Sequence, residues 1–292
     1  MLIESVLIQG LISGVTYALL ACGFTLVYGV TRILNLAHGT FYMLGAYVFY
    51  VLGFGYVGLH PAAALIVAPL IVGLIGVVCY ILCLRPIIDD YFGIMVVTVA
   101  LALIFQQLTL IAFGPQLIPV ASIISGSLVI GRTGVTYSRI LSLLISITVF
   151  FGLWFFTIKS KTGTALRALS QDREITMLMG INVKKLYVFT IFLSTLFAAL
   201  AGILIISSVT RQLTPTIWLA PLSLAFSIVV LGGLGSIKGS FFGGIILGYV
   251  ENIVVSIMPG GGYLVDLVAM IMVMAILLIR PAGIFGKYVE RV

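Results

Sequence analysis

Val230-Leu231-Gly232-Gly233-Leu234-Gly235-Ser236-Ile237-Lys238-Gly239-Ser240 interrupts an apolar run that extends from about residue 221 to 258. A helix rises about 1.5 Å per residue, and ~30 Å of hydrocarbon needs roughly 20 residues. The run is therefore too long for one crossing. It reads as two shorter helices with the glycine-rich stretch as the break between them. Seven further apolar stretches have spanning or nearly spanning length, at about 5–30, 36–57, 62–84, 93–113, 138–158, 186–208 and 263–280. The fold class that follows is an all-α polytopic membrane protein. It is a helical bundle of about 8–9 membrane segments with broken helices, in one domain over residues 1–292.

Composition agrees. The 292 residues include 15 basic and 8 acidic side chains, 62% of residues are hydrophobic, and mean hydropathy is +1.32. Soluble domains are about 25% charged. A charged fraction of 8% cannot cover a water-soluble globule of this size. A soluble enzyme, a nucleic-acid reader and a disordered chain are excluded, so no nucleic-acid partner is expected and the lipid bilayer is. Cys22, Cys79 and Cys83 lie inside apolar runs, which reads as core packing and not as a disulfide framework. No basic segment precedes the first apolar run, so that run is expected to be a retained span rather than a cleaved signal.

Charge sets the expected orientation. The loop at about 159–185 carries Lys159, Lys161, Arg167, Arg173, Lys184 and Lys185 against Asp172 and Glu174. With that loop in the cytoplasm, Arg32, Arg85, Lys238, Arg280, Lys287 and Arg291 also fall inside, and only Arg132, Arg139 and Arg211 fall outside. The positive-inside rule then gives an outside N-terminus and a cytoplasmic C-terminus, in a multi-pass cell (inner) membrane protein.

Small residues recur at four-residue spacing in Gly10-xxx-Gly14-xxx-Ala18, Ser194-xxx-Ala198-xxx-Gly202 and Gly244-xxx-Gly248. Inside lipid, close backbone approach and dispersion hold helices together, so the set predicts tight packing. Two interruptions bear on function. Arg32 to Phe41 breaks the junction of the first two segments, and Lys238-Gly239-Ser240-Phe241-Phe242 faintly resembles His38-Gly39-Thr40-Phe41-Tyr42. Backbone that leaves a helix in lipid is tolerated only inside protein or along a wet cavity. One reading makes Asn35, His38, Gly39, Gly232, Gly233 and Gly235 a pathway lining or gate. The other makes each break a tight turn near the inner surface, with Asn35 as a cap.

Glu251 lies about ten residues past the second break, roughly 15 Å in. An exposed charge there would cost ~2.5 kcal/mol or more, so the carboxyl is protonated, paired or facing water. Asn252 is a neighbouring hydrogen-bonding group. Gln106 and Gln107 sit in the fourth segment and are expected to face the bundle. The readings for Glu251 are a pathway or ion-pair residue and a satisfied interhelical hydrogen bond. Nothing reads as catalytic: His38 and His60 are the only histidines and stand far apart, and no metal-binding, phosphate-loop or nucleophile motif occurs. No catalytic residue, metal or cofactor is expected.

In the polar loop, one short helix is expected over about 164–170. A second is expected after Asp172, whose carboxylate caps free amides. Glu174 in its first turn suits the helix dipole, and Gly180 ends it in a left-handed position. Such a pair, fixed to two spans, makes a stiff docking element; an ordinary solvated basic loop is the alternative. The segment at about 114–137 contains a plausible hairpin, with Val129-Ile130 and Val135-Thr136 flanking Gly131-Arg132-Thr133-Gly134.

Gly163-Thr164-Ala165-Leu166-Arg167-Ala168, then Asp172, then Gly180-Ile181-Asn182, resembles the coupling loop of ABC importer permeases. Asn35-Leu36-Ala37-His38-Gly39 with Gly45-Ala46-Tyr47 resembles the N-terminal signature of the branched-chain amino-acid (LIV-type) permeases. Val230 to Ser236 with Gly239, Gly243 and Gly244 resembles their C-terminal signature. The three blocks span nearly the whole chain in order, and its length is similar to that of the LivH-type subunit rather than the longer LivM-type partner. Ser170-Gln171 and Thr176-Met177 depart from an alanine-rich version of the loop.

The resemblance implies a non-catalytic subunit of an ATP-driven importer of branched-chain or related amino acids. Two permeases, the second a LivM-like paralogue, form the pathway. Two cytoplasmic ATPases bind the coupling loops, and an external solute-binding protein delivers the solute. Gly163, Arg167, Ala168, Asp172, Glu174 and Gly180 would then lie at or beside the ATPase contact. Arg132 would face an acidic surface of the binding protein, unless the hairpin is a plug or lid on the bundle. Family members for urea, short amides or other small solutes remain alternatives. An autonomous ion-coupled carrier or channel using Glu251 is the competing class.

Overall fold

A computed structural model of the chain describes residues 2–131, 133–210, 212–258 and 261–286. Arg132, Arg211, Lys287 and Arg291, which entered the charge argument, lie outside the described residues. The order is α1 (Leu2–Thr31), α2 (His38–Gly53), α3 (Pro61–Cys79), α4 (Tyr91–Phe113), β1 (Ile118–Pro119), β2 (Ser127–Ile130), β3 (Thr133–Thr136) and α5 (Tyr137–Lys159). Then come α6 (Lys161–Gln171), α7 (Arg173–Leu178), α8 (Val183–Ile205), β4 (Gln212–Leu213), α9 (Leu219–Gly232), α10 (Ile237–Ile257) and α11 (Val265–Ile279). α3 runs on through a π turn, Tyr80–Leu84, and a 3-10 turn, Arg85–Ile87; α8 ends in a second π turn, Ile206–Thr210.

Among the described residues, six helices are long and apolar enough to cross a membrane: α1, α3, α4, α5, α8 and α10. The shorter α2, α9 and α11 complete the bundle. The expected pair of short helices over 221–258 is thus one short helix and one of full length. The break is confined to Gly233-Leu234-Gly235-Ser236, where Gly233 and Gly235 take φ of 102° and 85°. Ser236 then accepts a hydrogen bond from Gly239 N at 3.0 Å and starts α10. The later glycines of α10 do not interrupt it, because they are used for packing.

α1 and α8 are the most buried of the long helices; α10 packs on α1, and α2 and α3 pack on α8. Two of the small-residue motifs face one another. A Cβ on Gly14 would sit 2.7 Å from Ile245 Cα, and one on Gly244 would sit 2.7 Å from Ala18 Cβ. Gly248 likewise packs on the backbone of Gly14, so no side chain fits between α1 and α10 there. The third motif serves α2: a side chain on Gly202 would strike Tyr42, and Gly45 lies on Ala199. Cys22, Cys79 and Cys83 are free thiols.

Contacts assign the loops to ends. Arg32 at the end of α1 donates from Nη2 to the Ser170 carbonyl at 3.0 Å, and Arg173 pairs with Asp89 at 2.7 Å. The α1–α2, α3–α4 and α5–α8 connections therefore share one end. At the other end, β2 and β3 pair antiparallel with Ile130 opposite Thr133 and Val129 opposite Gly134, so Thr133 and Gly134 belong to a strand and not to the turn as expected. β1 pairs with β4, tying the α4–α5 connection to the one before α9.

Candidate functional site

The first interruption is not a turn at the bundle's end. His38 opens α2 and is fully buried; its Nε2 lies 3.0 Å from the Leu20 carbonyl. Leu20 stands eleven residues before Thr31, the end of α1, or about 16 Å along the helix. The chain leaves α1, turns back inside the bundle without helical structure over 32–35, and starts α2 at mid-depth. Asn35 is buried, and its Oδ1 accepts from Ala37 N at 3.1 Å, capping the re-entrant turn. Leu36 N reaches Thr98 Oγ1 at 3.4 Å. Side chains thus satisfy backbone that lipid cannot. Asn35 is a cap, as the turn reading expects, but it lies at depth and not near the inner surface. The glycines of the second break, Gly232, Gly233 and Gly235, do form an end turn, with Gly235 against Gly29 near the end of α1.

A third unwound segment, not anticipated from the sequence, lies between the π turn of α8 and α9. It descends to the same depth, because a Cβ on Gly39 would strike the Trp218 carbonyl. Trp218 is buried and donates from Nε1 to Gln106 Oε1 at 2.7 Å. Gln106 therefore faces the bundle and pins this segment to α4.

Above these breaks is a cavity of about 560 Å³ with walls from α1, α2, α8, α9, α10 and α11. Leu20, Ile205, Leu224, Val255 and Val265 make it mainly aliphatic, and Tyr17, Tyr42, Glu251 and Asp266 supply the polar groups. The Tyr17 hydroxyl donates to Glu251 Oε1 at 3.1 Å. Glu251 Oε2 is shielded and has no hydrogen-bond partner among the described residues. Asn252 does not help it; its Nδ2 donates to Gly248 O at 2.8 Å, one turn back on α10. His38, Gly39 and Gln106 stand in the wall behind the cavity: the His38 ring meets the Leu20 carbonyl and packs edge-on to Phe24 at 5.4 Å. The two sets of pathway residues therefore part, with Glu251 on the cavity and the 232–235 glycines far from it. Tyr17, Tyr42 and Asp266 were missed as members, since a tyrosine in an apolar run carries no positional signal of its own.

The polar loop is built largely as its residues suggest. Ser160 Oγ accepts from Gly163 N at 2.8 Å, so α6 starts at Lys161, earlier than the expected 164. Gly163 is buried against Phe156 and Thr157, which sets α6 on the end of α5. Arg167 Nη2 reaches back to the Ile158 carbonyl at 3.4 Å, and Ala168 is half-buried. Asp172 Oδ1 accepts from Ile175 N at 2.9 Å and starts α7, with Glu174 exposed in the first turn. At its end Gly180 takes φ 76°, Gly180 N donates to Met177 O at 3.0 Å, and Ile181 N to Thr176 O at 3.4 Å. That bonding pattern is the left-handed helix stop that glycine permits.

Arg173 holds α7 in place. It pairs with Asp89 and lies 5.8 Å from the centre of the Tyr187 ring. The hydrogen bond to Asp89 pushes the guanidinium pKa further up, so Arg173 remains charged at any working pH. Thr176 is the buried residue of α7, whereas Ile175, Met177, Leu178 and Met179 are exposed, Leu178 at 85% and Met179 at 77%. A short helix beyond the apolar spans thus presents four large apolar side chains.

Residues 6–277 match the family described as "Branched-chain amino acid transport system / permease component". The chain is 30% identical over 294 residues to the high-affinity branched-chain amino acid transport system permease protein BraD of Pseudomonas aeruginosa, covering 96% of this chain and 95% of BraD. It is 28% identical over 296 residues to the corresponding permease protein LivH of Escherichia coli, covering 96% and 94%. Its fold is similar to PsaBC from Streptococcus pneumoniae, solved in complex with Fab, with TM-score 0.54, 14% identity, and 96% and 94% of the two chains covered.

Proposed function

The chain belongs to the branched-chain amino acid transport permease family, a multi-pass membrane component of a transport system, and from that premise we propose that it imports branched-chain or related amino acids as one half of an ATP-driven translocation pathway. The second half is a LivM-like permease. Two cytoplasmic ATPases supply the energy, an external solute-binding protein supplies the solute, and this chain itself catalyses nothing. The end that carries α6 and α7 is cytoplasmic, the N-terminus is outside and the C-terminus inside.

The exposed apolar face of α7 carries this reading. Ile175, Met177, Leu178 and Met179 lie on a capped helix clamped to the bundle through Arg173. An apolar patch of that kind outside lipid marks a protein contact. The ATPase is its occupant, with Gly163, Arg167, Ala168, Asp172, Glu174 and Gly180 shaping the coupling loop that delivers the contact. ATP-driven closure pushes α7, and the push passes through α8 to the centre of the bundle, where α8 packs on α1 and α2. On the solute side, the aliphatic walls of the Glu251 cavity suit a branched side chain. Its carboxylates suit an ammonium group, and the tyrosine hydroxyls suit a carboxylate. Asn35, His38, Gly39, Gln106 and Asn252 act as the gate around it, and the glycines of the 232–235 turn act as a hinge at the distant end of α9 and α10.

The experiment is co-expression with the chromosomal neighbours, purification in mild detergent and reconstitution into proteoliposomes. Stoichiometric recovery of P-loop ATPases and a second permease is expected, together with leucine uptake that requires ATP and the binding protein. Recovery of this chain alone, as an oligomer active without ATP, would overturn the proposal.

A further inference from the structure

We propose that the groove between α3 and α8 is a binding site for an anionic phospholipid of the leaflet on the α6–α7 side. The groove has a volume of about 520 Å³, apolar over most of its length and basic at one end. Leu74 and Val77 of α3 and Phe189 and Phe192 of α8 line its apolar part. Arg85, Lys184 and Lys185 close its other end. From Leu74 to Arg85 the α3 wall runs about 16 Å, the reach of a lipid from headgroup into acyl chain. The π turn at Tyr80–Leu84 shifts the wall by a residue and brings Arg85 to the mouth.

Charge identifies the occupant. None of the three cations has an ion-pair partner among the described residues. Lys184 and Lys185 are in the first turn of α8, where the helix dipole is already positive. Two lysines there and an arginine across the mouth repel one another and the helix end. One anion relieves all of these terms. A soluble anion would leave the apolar part of the groove empty, and a neutral lipid would leave the cations uncompensated. An anionic phospholipid satisfies both ends with one molecule, and anionic headgroups draw basic clusters next to spanning segments.

The site adjoins the coupling loop. Gly180 and Ile181 connect α7 directly to Asn182, the cap of α8, and Asp89, which holds Arg173, follows Arg85 by four residues. A lipid in the groove therefore braces the two elements that anchor α7. Binding is independent of the importer reading; the consequence for ATP-driven turnover rests on it.

The test is native mass spectrometry of the purified complex, titrated with phosphatidylglycerol and with phosphatidylcholine of the same acyl chains. Phosphatidylglycerol is expected to be retained at least about fivefold better. Arg85→Gln with Lys184→Gln and Lys185→Gln should bring retention down to the phosphatidylcholine level, and glycerol 3-phosphate at equal concentration should not compete. Val188→Trp, which plugs the apolar part and keeps every cation, should also lose the lipid. Equal retention of the two lipids, or full retention by the triple variant, would overturn the proposal. So would competition by glycerol 3-phosphate, which would mark a site for a soluble anion only. Loss of the ATPase or the second permease from the triple variant, with lipid retention unchanged, would show that the cations hold a protein neighbour instead. In nanodiscs, anionic lipid should raise the ATPase rate of the wild-type complex and not that of the triple variant. A complex that carries no uptake at all yet retains phosphatidylglycerol selectively would leave this site standing while the importer reading fell.

Discussion

The Tyr17 hydroxyl donates to Glu251 Oε1 across 3.1 Å, joining two helices through residues 234 positions apart. It is one of several polar contacts between segments of the bundle, beside that of Trp218 with Gln106 and that of Thr25 with Ser240. Its geometry leaves Oε2 without a partner among the described residues.

Tyr17→Phe removes the donor and leaves both carboxylate oxygens unsatisfied. The expected loss is about 1–3 kcal/mol, the cost of an unpaired buried polar group, read as a lower thermal midpoint of the purified complex. Glu251→Gln keeps an acceptor for Tyr17 and should unfold near the wild-type temperature. Its uptake should nonetheless fall roughly ten- to hundredfold, since a charge-assisted hydrogen bond is worth about 1.5–3 kcal/mol. Uptake unchanged at every pH would reduce Glu251 to a hydrogen-bonding residue and remove it from the pathway.

Gly248 lies on Gly14 where α1 and α10 touch, whereas nothing lies within 4 Å of a Cβ on Gly152. Gly248→Leu should therefore destabilise by about 1–3 kcal/mol through overpacking, and Gly152→Leu should be nearly silent. Detergent melts of the two variants side by side check this; equal midpoints would mean that α1 and α10 are not in close contact.

Arg173 and Asp89 are both substantially exposed, at 43% and 77% of their side chains. Their pairing is worth about 0–1 kcal/mol to stability, so Arg173→Asp should barely move the melting point. It should nevertheless weaken coupling, because α7 loses its clamp. The double exchange Arg173→Asp with Asp89→Arg should restore ATP-driven uptake in part. Failure of the exchange together with normal uptake in Arg173→Asp would free α7 from dependence on this pair.

At the end of α7, Gly180→Glu forces a side chain into a φ of 76° and should misdirect the exposed apolar residues. Arg167→Glu should unlatch α6 from the Ile158 carbonyl. Leu178→Ser with Met179→Ser alters the patch alone. All three should uncouple ATP hydrolysis from uptake while the bundle stays folded, and the serine pair should also reduce recovery of the ATPase on purification. Normal ATP-driven uptake in all three variants would sink the docking assignment.

Much of this architecture was legible residue by residue. Asp172 and Gly180 act within four positions of themselves, so their roles as cap and stop could be read directly, and the structure places both as read. The start of α6 was misplaced because Ser160, its cap, stands between Lys159 and Lys161, which look like loop. The Gly10–Gly14–Ala18 and Gly244–Gly248 patterns announced close packing. That they pack on each other is a fact of two helices meeting, which neither segment encodes alone.

Whatever depends on local order can be read along the chain: helical spans from unbroken apolar length, breaks from glycine and polar residues, and caps from side chains a few bonds from the amides they bind. Depth and assembly were decided only in three dimensions. Asn35 and His38 read equally well as a turn near the inner surface or as a pathway lining, and the bond from the His38 ring to the Leu20 carbonyl places the break in the interior. Tyr17, Tyr42, Glu251 and Asp266 come from four elements and share one cavity because α1, α2, α10 and α11 converge there. Such convergence follows from which helix faces can approach closely, a property of pairs of surfaces and not of any one stretch of chain.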